Sequence, residues 1–275
     1  MKAGPFGRGL WVHAGLVAAA AFALLPLAWM ASVSLMAPGE ATHYPPPLLP
    51  SAPSFGNYRE LFAQAGMGGY VLNSLGIATG LMLSSVLFNV MAGYAFAKLR
   101  FRGREALFKT LLAALVIPGQ VAMLPLFLML KHLGLVNTWA GVILPGMASV
   151  FGIFLVRQYA RSLPDELLEA ARIDGAGEWR IFVTVVLPLL RPIVVTLAMF
   201  AFLASWNDFM WPLIVLTDSS LHTLPVALAS LSREHVQDAE LMMAGAVVTI
   251  LPVLLLFLVL QRYYLQGLTM GGVKQ

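Results

Sequence analysis

Long stretches without charge constrain this chain more than any other feature of its sequence. A helix that crosses the hydrocarbon core of a bilayer needs about 20 mostly apolar residues. Five stretches of adequate length contain no Asp, Glu, Lys or Arg, and a sixth is interrupted only near its end, by Asp208. We therefore predict six membrane helices, at about 11–36, 70–97, 109–130, 139–157, 183–213 and 241–262. Prolines inside these segments are expected to kink them, at positions 118, 125, 145, 188 and 192.

The composition agrees with a membrane protein. Of the 275 residues 59% are hydrophobic and 11% are charged, whereas a soluble domain carries about 25% charged residues. The sequence contains no cysteine, which excludes a disulfide framework, a thiolate metal site and a cysteine nucleophile. The apolar run Leu10–Met36 is longer than the roughly 7–15 residues of a signal-peptide core, so we predict an uncleaved first helix.

The basic residues predict the orientation. With six spans both chain ends lie on one side, and that side holds all but three of the 17 Lys and Arg residues. The three others are Arg59, Lys131 and Arg233. Because the loops of membrane proteins are enriched in Lys and Arg on the cytoplasmic side, we expect both termini in the cytoplasm. The basic cluster at 98–104 is then a topology signal, and no nucleic-acid partner is predicted.

Two longer segments fall on the outer side. Segment 37–69 contains Tyr44-Pro45-Pro46-Pro47, which favours an extended, non-helical connection. Segment 214–240 is acidic, and a short interfacial helix is expected within 220–235. The chain divides accordingly into a first helix with a proline-rich outer segment at 1–69, a transmembrane core at 70–262 and a cytoplasmic C-terminal tail at 263–275.

A cytoplasmic loop at 162–192 carries the most informative local pattern. Ser162 and Pro164 are helix-start signals, and Gly175 and Gly177 are stop signals. One face of the enclosed helix is small and mostly apolar, formed by Leu167, Ala170, Ala171 and Asp174. So short a helix outside the bilayer has little apolar area to bury within its own chain. Acids outnumber bases five to two over 165–180, which disfavours the alternative of a helix lying on headgroups. We therefore predict docking to a protein partner.

The same loop resembles the Glu-Ala-Ala loop of binding-protein-dependent ABC importers. That pattern has Glu-Ala-Ala, three residues, Gly, nine residues and Ile-x-Leu-Pro. The chain keeps every spacing, with Glu169-Ala170-Ala171, Gly175 and Val185-x-Leu187-Pro188, and departs only in Val185 for Ile. Further stretches resemble the sugar-transporting branch of the MalG type, at Ala92–Lys98, Trp206–Leu213, Gln261–Tyr264 and Gly267–Thr269.

The resemblance implies a type I ABC importer permease fold, all-α, with six transmembrane helices and a cytoplasmic coupling helix. It implies a place in the inner membrane of a bacterium and three kinds of partner besides the lipid bilayer: a second homologous permease subunit, two ATPase subunits and a periplasmic or extracellular sugar-binding protein. The loop that would dock on the ATPase comprises Glu169, Ala170, Ala171, Gly175, Leu187 and Pro188. ATP and Mg are expected on the ATPase subunits, since no lysine here follows a glycine as a phosphate-binding loop requires. No cofactor, metal site or catalytic residue is predicted for this chain.

A second candidate site surrounds Asp208, a carboxylate in a predicted span. Such residues are costly in lipid and usually face protein or water. In one interpretation Asn207 and Asp208 line the translocation path and bind sugar hydroxyls, with Trp206 or Trp211 stacking nearby. In the other, Asp208 caps or packs a helix near the outer interface, and the two tryptophans form an aromatic belt. Both interpretations stay open at this point.

Two other classes of function compete with a transport subunit. An intramembrane transferase would need clustered acids, histidines or metal ligands, and only Asp208 is embedded in a predicted span. A structural membrane scaffold would leave the spacing of the cytoplasmic loop unexplained. The sequence therefore favours a permease subunit without catalysis of its own.

Overall fold

The computed structural model describes residues 5–234 and 238–270, with side chains for 12–232 and 238–259. All regular structure in these residues is helical. The α-helices are α1 Pro5–Val33, α2 Gly56–Ala63, α3 Met67–Lys98, α4 Arg104–Ala114, α5 Gly119–His132, α6 Trp139–Ile143, α7 Val150–Arg161, α8 Asp165–Ile173, α9 Glu178–Ile181, α10 Leu187–Leu189, α11 Arg191–Trp206, α12 Met210–Val215, α13 Leu224–Glu234 and α14 Ala239–Met270. A π-helical segment, Phe182–Val186, joins α9 to α10.

Three of these helices contain continuous apolar stretches long enough to cross a bilayer, at Val12–Val33, Met67–Lys98 and Ala239–Val259. The other three predicted spans are each divided into two helical parts. The parts are bent by 101° between α4 and α5, by 43° between Trp139–Gly146 and α7, and by 79° between Glu178–Leu189 and α11. The described residues therefore hold up to six spans if each bent pair crosses once, and the count of six stays a prediction.

Prolines account for the positions of the breaks. Pro118 directly precedes α5, Pro145 lies just before the break that ends at Val150, and Pro192 opens α11. Proline has no amide hydrogen and its ring clashes with the preceding turn, so an α-helix is readily interrupted beside it. Pro125, by contrast, lies inside α5 without a break.

The first of the two segments predicted to lie on the outer side differs in part from its predicted extended conformation. Residues 43–55 have no regular helix, as expected, but α2 occupies Gly56–Ala63. Asn57 of α2 donates two hydrogen bonds to the carbonyls of Ser34 and Met36, both of 2.9 Å, and Leu61 is fully buried. The expectation that all of 37–69 is extended was therefore wrong for α2, which packs against the end of the first span.

Two further predictions concern a helix within 220–235 and the end of the last span. A helix expected within 220–235 is confirmed by α13. The last helix runs to Met270, past the predicted end of the span at 262 and into the segment assigned to the tail.

The chain forms two compact units. One contains the residues up to Gly68 together with Ala227–Pro252, and the other contains Gly69–Val226 with the residues from Val253 onward. Both candidate sites lie in the second unit. A buried cluster there, which we name the loop core, is formed by Val90, Tyr94, Val156, Ala160, Leu168, Ile181, Phe182, Val186, Leu190, Ile193 and Leu197.

Candidate functional site

The loop predicted to lie in the cytoplasm contains the predicted helix, α8, at Asp165–Ile173. Asp165 and Glu166 occupy its first turn, where the positive end of the helix dipole favours acids. Ser162, predicted as a start signal, belongs instead to the end of α7, since its hydroxyl donates to the carbonyl of Tyr159 at 2.7 Å. The helix therefore begins after Pro164.

Gly175 ends α8 in the manner that its position predicts. The amide of Gly175 donates to the carbonyl of Arg172, and the amide of Ala176 donates to that of Ala171, both at 3.0 Å. This pair of bonds is the Schellman motif, which needs a left-handed residue at the position of Gly175. The φ angle of Gly175 is +80°. Gly177, with a φ of −71°, precedes α9 in an extended conformation.

The inner side of α8 packs on its own chain. Leu168 is only 3% exposed and belongs to the loop core, together with Tyr94 of α3 and Val156 of α7. Ala171 is half-buried against the same core. The prediction that this helix has little apolar area to bury within its own chain was therefore wrong. The inner side of α8 therefore shares its core with the membrane helices α3 and α7.

The other side of α8 is exposed. We name it the outer face, and it consists of Glu166, Leu167, Glu169, Ala170 and Ile173. Ile173 is 87% exposed, which is unusual for so large an apolar side chain. The Glu-Ala-Ala triplet is thus divided between two roles, because Glu169 and Ala170 face outward while Ala171 faces the core. Leu167 and Ile173 leave an apolar patch beside the small Ala170.

A buried lysine attaches α8 to the end of α3. Lys98 Nζ donates to the carbonyl of Leu163 at 2.6 Å and to Asp165 Oδ1 at 2.5 Å. The Lys98 side chain is 6% exposed and that of Asp165 is 72% exposed. The hydrogen bond and charge of Lys98 hold the pKa of the Asp165 carboxyl below its usual range. The sequence predicted Lys98 as a topology signal and as the end of the Ala92–Lys98 stretch, and its spacing from Asp165 gave no sign of this contact.

A second ion pair lies at the C-terminal end of α8. Arg172 donates to both carboxylate oxygens of Glu178, at 2.7 and 3.3 Å. Bidentate pairs of this kind restrain geometry more than single contacts do. The pair spans the turn at Gly175, so the turn is held by its backbone bonds and by its flanking side chains.

The predicted loop residues Leu187 and Pro188 lie in α10, beyond the π-helical segment. Leu187 packs against the loop core, and Pro188 is exposed. Because proline cannot donate a backbone hydrogen bond, the carbonyl four residues earlier loses its α-helical partner. The wider π-helical turn at Phe182–Val186 lies where this partner is missing.

The residues predicted around Asp208 separate into two groups. Trp206 is buried and stacks on Phe202 with ring centroids 5.7 Å apart, and the buried Trp211 donates from Nε1 to the carbonyl of Gly141 at 3.3 Å. Asn207 Nδ2 donates to the carbonyl of Leu203 at 2.8 Å, at the end of α11. These three side chains are engaged within the subunit. The geometry matches neither a stacking platform nor an aromatic belt for the two tryptophans.

Asp208 makes a capping contact and also borders a cavity, while its contact with a sugar stays a prediction. Its Oδ1 accepts a hydrogen bond of 3.4 Å from the amide of Trp211, at the start of α12. It also lines a cavity of about 460 Å³. The other lining residues of this cavity are Leu81, Ser85, Gly146, Ser149, Phe151, Leu197, Phe200, Ala201, Ala204 and Ser205. Ser85, Ser149 and Phe151 were not predicted, because they come from segments far from Asp208 in the sequence. Phe200 and Ser205 were not predicted either, although they lie in the helix that ends just before Asp208.

These features combine a helix that has one exposed face and one face buried against neighbouring membrane helices with a cavity among those helices, an arrangement expected of a membrane transport subunit. The family described as "Binding-protein-dependent transport system inner membrane component" matches residues 89–269. The chain belongs to this family and is a multi-pass membrane permease. The match bears out the predicted transport subunit and gives no support to a transferase or a scaffold.

Curated relatives agree over most of the chain. The arabinooligosaccharides transport system permease protein AraQ of Halalkalibacterium halodurans is 42% identical over 82% of this chain and 81% of its own. The melibiose/raffinose/stachyose import permease protein MelC of Bacillus subtilis is 35% identical over 97% and 96%. The diacetylchitobiose uptake system permease protein NgcG of Streptomyces coelicolor is 35% identical over 95% and 88%.

A solved structure shares the fold. It is a crystal structure of a bacterial ABC transporter involved in the import of the acidic polysaccharide alginate, and one of its chains superposes with a TM-score of 0.84. The alignment covers 96% of this chain and 99% of that one at 24% sequence identity. The predicted type I importer permease fold is confirmed by this likeness together with the family match.

Proposed function

We propose that this chain is one of two membrane subunits of a bacterial ATP-driven sugar importer. The observation that carries the proposal is α8, a capped helix with an exposed apolar face, built into the core of the membrane helices of a transport permease. Sugar as the substrate class is supported by the relatives, which are named for arabinooligosaccharides, melibiose, raffinose and stachyose.

The proposed assembly has the composition that the family resemblance implies. A second permease subunit completes the path, two ATPase subunits bind ATP and Mg in the cytoplasm, and a sugar-binding protein delivers substrate from the outer side. The positive-inside distribution of Lys and Arg supports placement in the inner membrane, with both termini in the cytoplasm.

The proposed coupling runs from the ATPase to the cavity through three helices. The ATPase contacts the outer face of α8, with Ala170 allowing close approach and Leu167 and Ile173 supplying apolar area. Leu168 and the link from Lys98 pass the displacement to α3 and α7. Both helices also line the cavity at Asp208, through Ser85 and Phe151. A rigid displacement of α8 therefore reaches the proposed substrate path.

An Asp substitution at Ala170 tests this coupling. It places an unpaired carboxylate in the proposed contact, at a cost of a few kcal/mol, on the order of a hundredfold in affinity. We expect ATPase subunits to be lost when the permease is purified from cells, and uptake of labelled raffinose and arabinotriose to fall with them. Ala170→Ser, which keeps the site small and uncharged, is the matched control and is expected to behave as wild type.

Ala171→Asp separates docking from folding of the loop. Because Ala171 packs on the loop core, a charge there is expected to accelerate amide hydrogen exchange over 165–173, whereas Ala170→Asp leaves that exchange unchanged. Full assembly and wild-type uptake with Ala170→Asp would show that the outer face is not the coupling surface. Absence of uptake of every sugar in a labelled panel by the intact wild-type importer would instead reject sugar as the substrate class.

A further inference from the structure

We propose that the cavity beside Asp208 binds uncharged sugars and discriminates against anionic ones. This inference rests on the proposed function, and it narrows the substrate class of that importer. Asp208 is the one residue of the cavity lining that the sequence analysis predicted as a candidate site residue.

The cavity lies where two membrane segments interrupt their helices. One interruption separates Gly146 from Val150, and the other separates Trp206 of α11 from Met210 of α12. Gly146 and Ser149 line the cavity from the first interruption, and Ser205 and Asp208 from the second. Non-helical backbone at membrane depth is tolerated only inside protein or beside a water-filled cavity, and broken helices of this kind form binding sites in transporters.

A buried asparagine fixes one wall. Asn89 of α3 is fully buried, donates to Ser85 Oγ at 2.7 Å and accepts from the amide of Ser149 at 2.9 Å. Ser149 in turn caps α7, since its Oγ accepts from the amide of Gly152 at 3.0 Å. A side chain at Gly152 would lie 2.7 Å from both Asn89 Nδ2 and Ser149 Oγ, so the glycine leaves room for this network. Ser85 and Ser149 are therefore positioned before any ligand arrives.

The lining offers both kinds of surface that a sugar ring requires. A sugar has apolar C–H faces and a rim of hydroxyls. Phe151 and Phe200 are about half exposed, with ring centroids 6.2 Å apart and planes at 70°. The hydroxyls of Ser85, Ser149 and Ser205 can donate and accept, and the Asp208 carboxylate accepts. A volume of about 460 Å³ falls within the range of small-molecule sites, about 300–1,000 Å³.

The charge of the lining decides between classes of sugar. Asp208 is the only ionisable residue among the described residues that line this cavity, and no Lys, Arg or His accompanies it there. Sugar hydroxyls can donate to its carboxylate, whereas the carboxylate or phosphate of an anionic sugar would be repelled by it. The shared fold with an importer of an acidic polysaccharide does not oppose this, because a fold does not fix the charge of a site.

Ligand binding to the purified complex of both permeases and the ATPase, without the sugar-binding protein, tests the proposal. Equilibrium dialysis compares raffinose with trigalacturonate, two trisaccharides that differ in charge. We expect the wild-type complex to prefer raffinose. Asp208→Asn keeps the shape of the side chain and removes its charge, so the trigalacturonate-to-raffinose affinity ratio should rise by about tenfold or more.

Two further variants make the result decisive. Asp218→Asn removes a carboxylate from an exposed turn outside the cavity and preserves its capping ability, so the ratio should stay at the wild-type value. Ser205→Lys adds a positive charge to the lining and should raise the ratio even if Asp208→Asn fails to assemble.

Three results would overturn the inference: an unchanged ratio in the assembled cavity variants, equal binding of both trisaccharides to wild type, or no binding of either. Coupled sugar uptake by cells in any of these cases would leave the proposed importer function in place.

Discussion

At the scale of single residues, Gly175 determines how α8 ends. A side chain at its φ of +80° costs about 1–2 kcal/mol, because Cβ approaches the following carbonyl. We expect Gly175→Ala to lower the free energy of local opening of α8 by about that amount, measured as faster amide hydrogen exchange over 165–173. Gly177→Ala is the matched control, since Gly177 has a φ of −71° and open space around its Cα. Equal exchange in both variants would contradict the role given to the left-handed turn.

Lys98 is the second residue of interest, because its substitution tests whether the ion pair with Asp165 helps to hold α8 in place. Since the pKa of Asp165 is lowered in the folded state, the link stabilises the loop at any pH above the usual carboxyl range and is lost as pH falls through the lowered pKa. From neutral pH to about pH 5, protection of α8 amides should therefore not change once intrinsic exchange is subtracted.

Lys98→Met should reduce that protection throughout the same pH range. Arg100→Met is the control, because Arg100 acts on Asp165 only through its charge, more weakly than Lys98. Protection that survives in Lys98→Met would mean that Leu168 alone retains the helix.

At the scale of elements, Gly93 sets the distance between α3 and α7. A Cβ at this position would lie 2.6 Å from Val156 Cβ and 3.0 Å from the amide nitrogen of Arg157. Gly93→Ala is expected to separate the helices and destabilise the subunit by about 1–3 kcal/mol, seen as a lower thermal midpoint in detergent. Gly69→Ala, also in α3 but facing open space, should be neutral or slightly stabilising. A midpoint for Gly93→Ala as high as for Gly69→Ala would show that the helices can shift at no cost.

Elements were predictable from the sequence where one local property defines them. About 20 apolar residues specify a span, so α1, α3 and α14 were located within a few residues of their described ends, apart from the N-terminal end of α1 and the C-terminal end of α14. The positions of the prolines indicated where the helices break. The size of the bends, as large as 101° and 79°, depends on what the two helical parts of each span pack against. Local sequence does not contain that information.

The candidate site was only partly predictable for a related reason. Leu167 and Leu168 are adjacent and equally apolar, and only the position of the loop core decides that Leu168 points inward and Leu167 outward. The cavity combines Ser85, Ser149 and Asp208 from three distant segments, and no spacing rule connects them.

At the scale of the whole molecule, the proposed function requires that partner subunits supply the energy for transport. None of its five lysines follows a glycine, so the phosphate-binding loop of an ATPase is missing from the sequence. We expect the purified subunit neither to bind nor to hydrolyse ATP, measured by equilibrium dialysis and phosphate release. The complex with its ATPase subunits serves as the positive control. Stoichiometric ATP binding to the isolated chain would contradict the assignment as a permease.

Because α8 has a buried side and an exposed side, the fold of the permease and its proposed pairing with an ATPase depend on different residues. Leu168 and Ala171 preserve the fold, so the surface formed by Glu166, Leu167, Glu169, Ala170 and Ile173 is free to vary without unfolding the subunit. If the proposed contact with an ATPase lies on this surface, exchanging a few side chains should change which ATPase is recognised. One ATPase would then serve several importers whose permeases share this surface. Grafting the surface onto a different permease should transfer the pairing with the ATPase and leave the transported substrate of that permease unchanged.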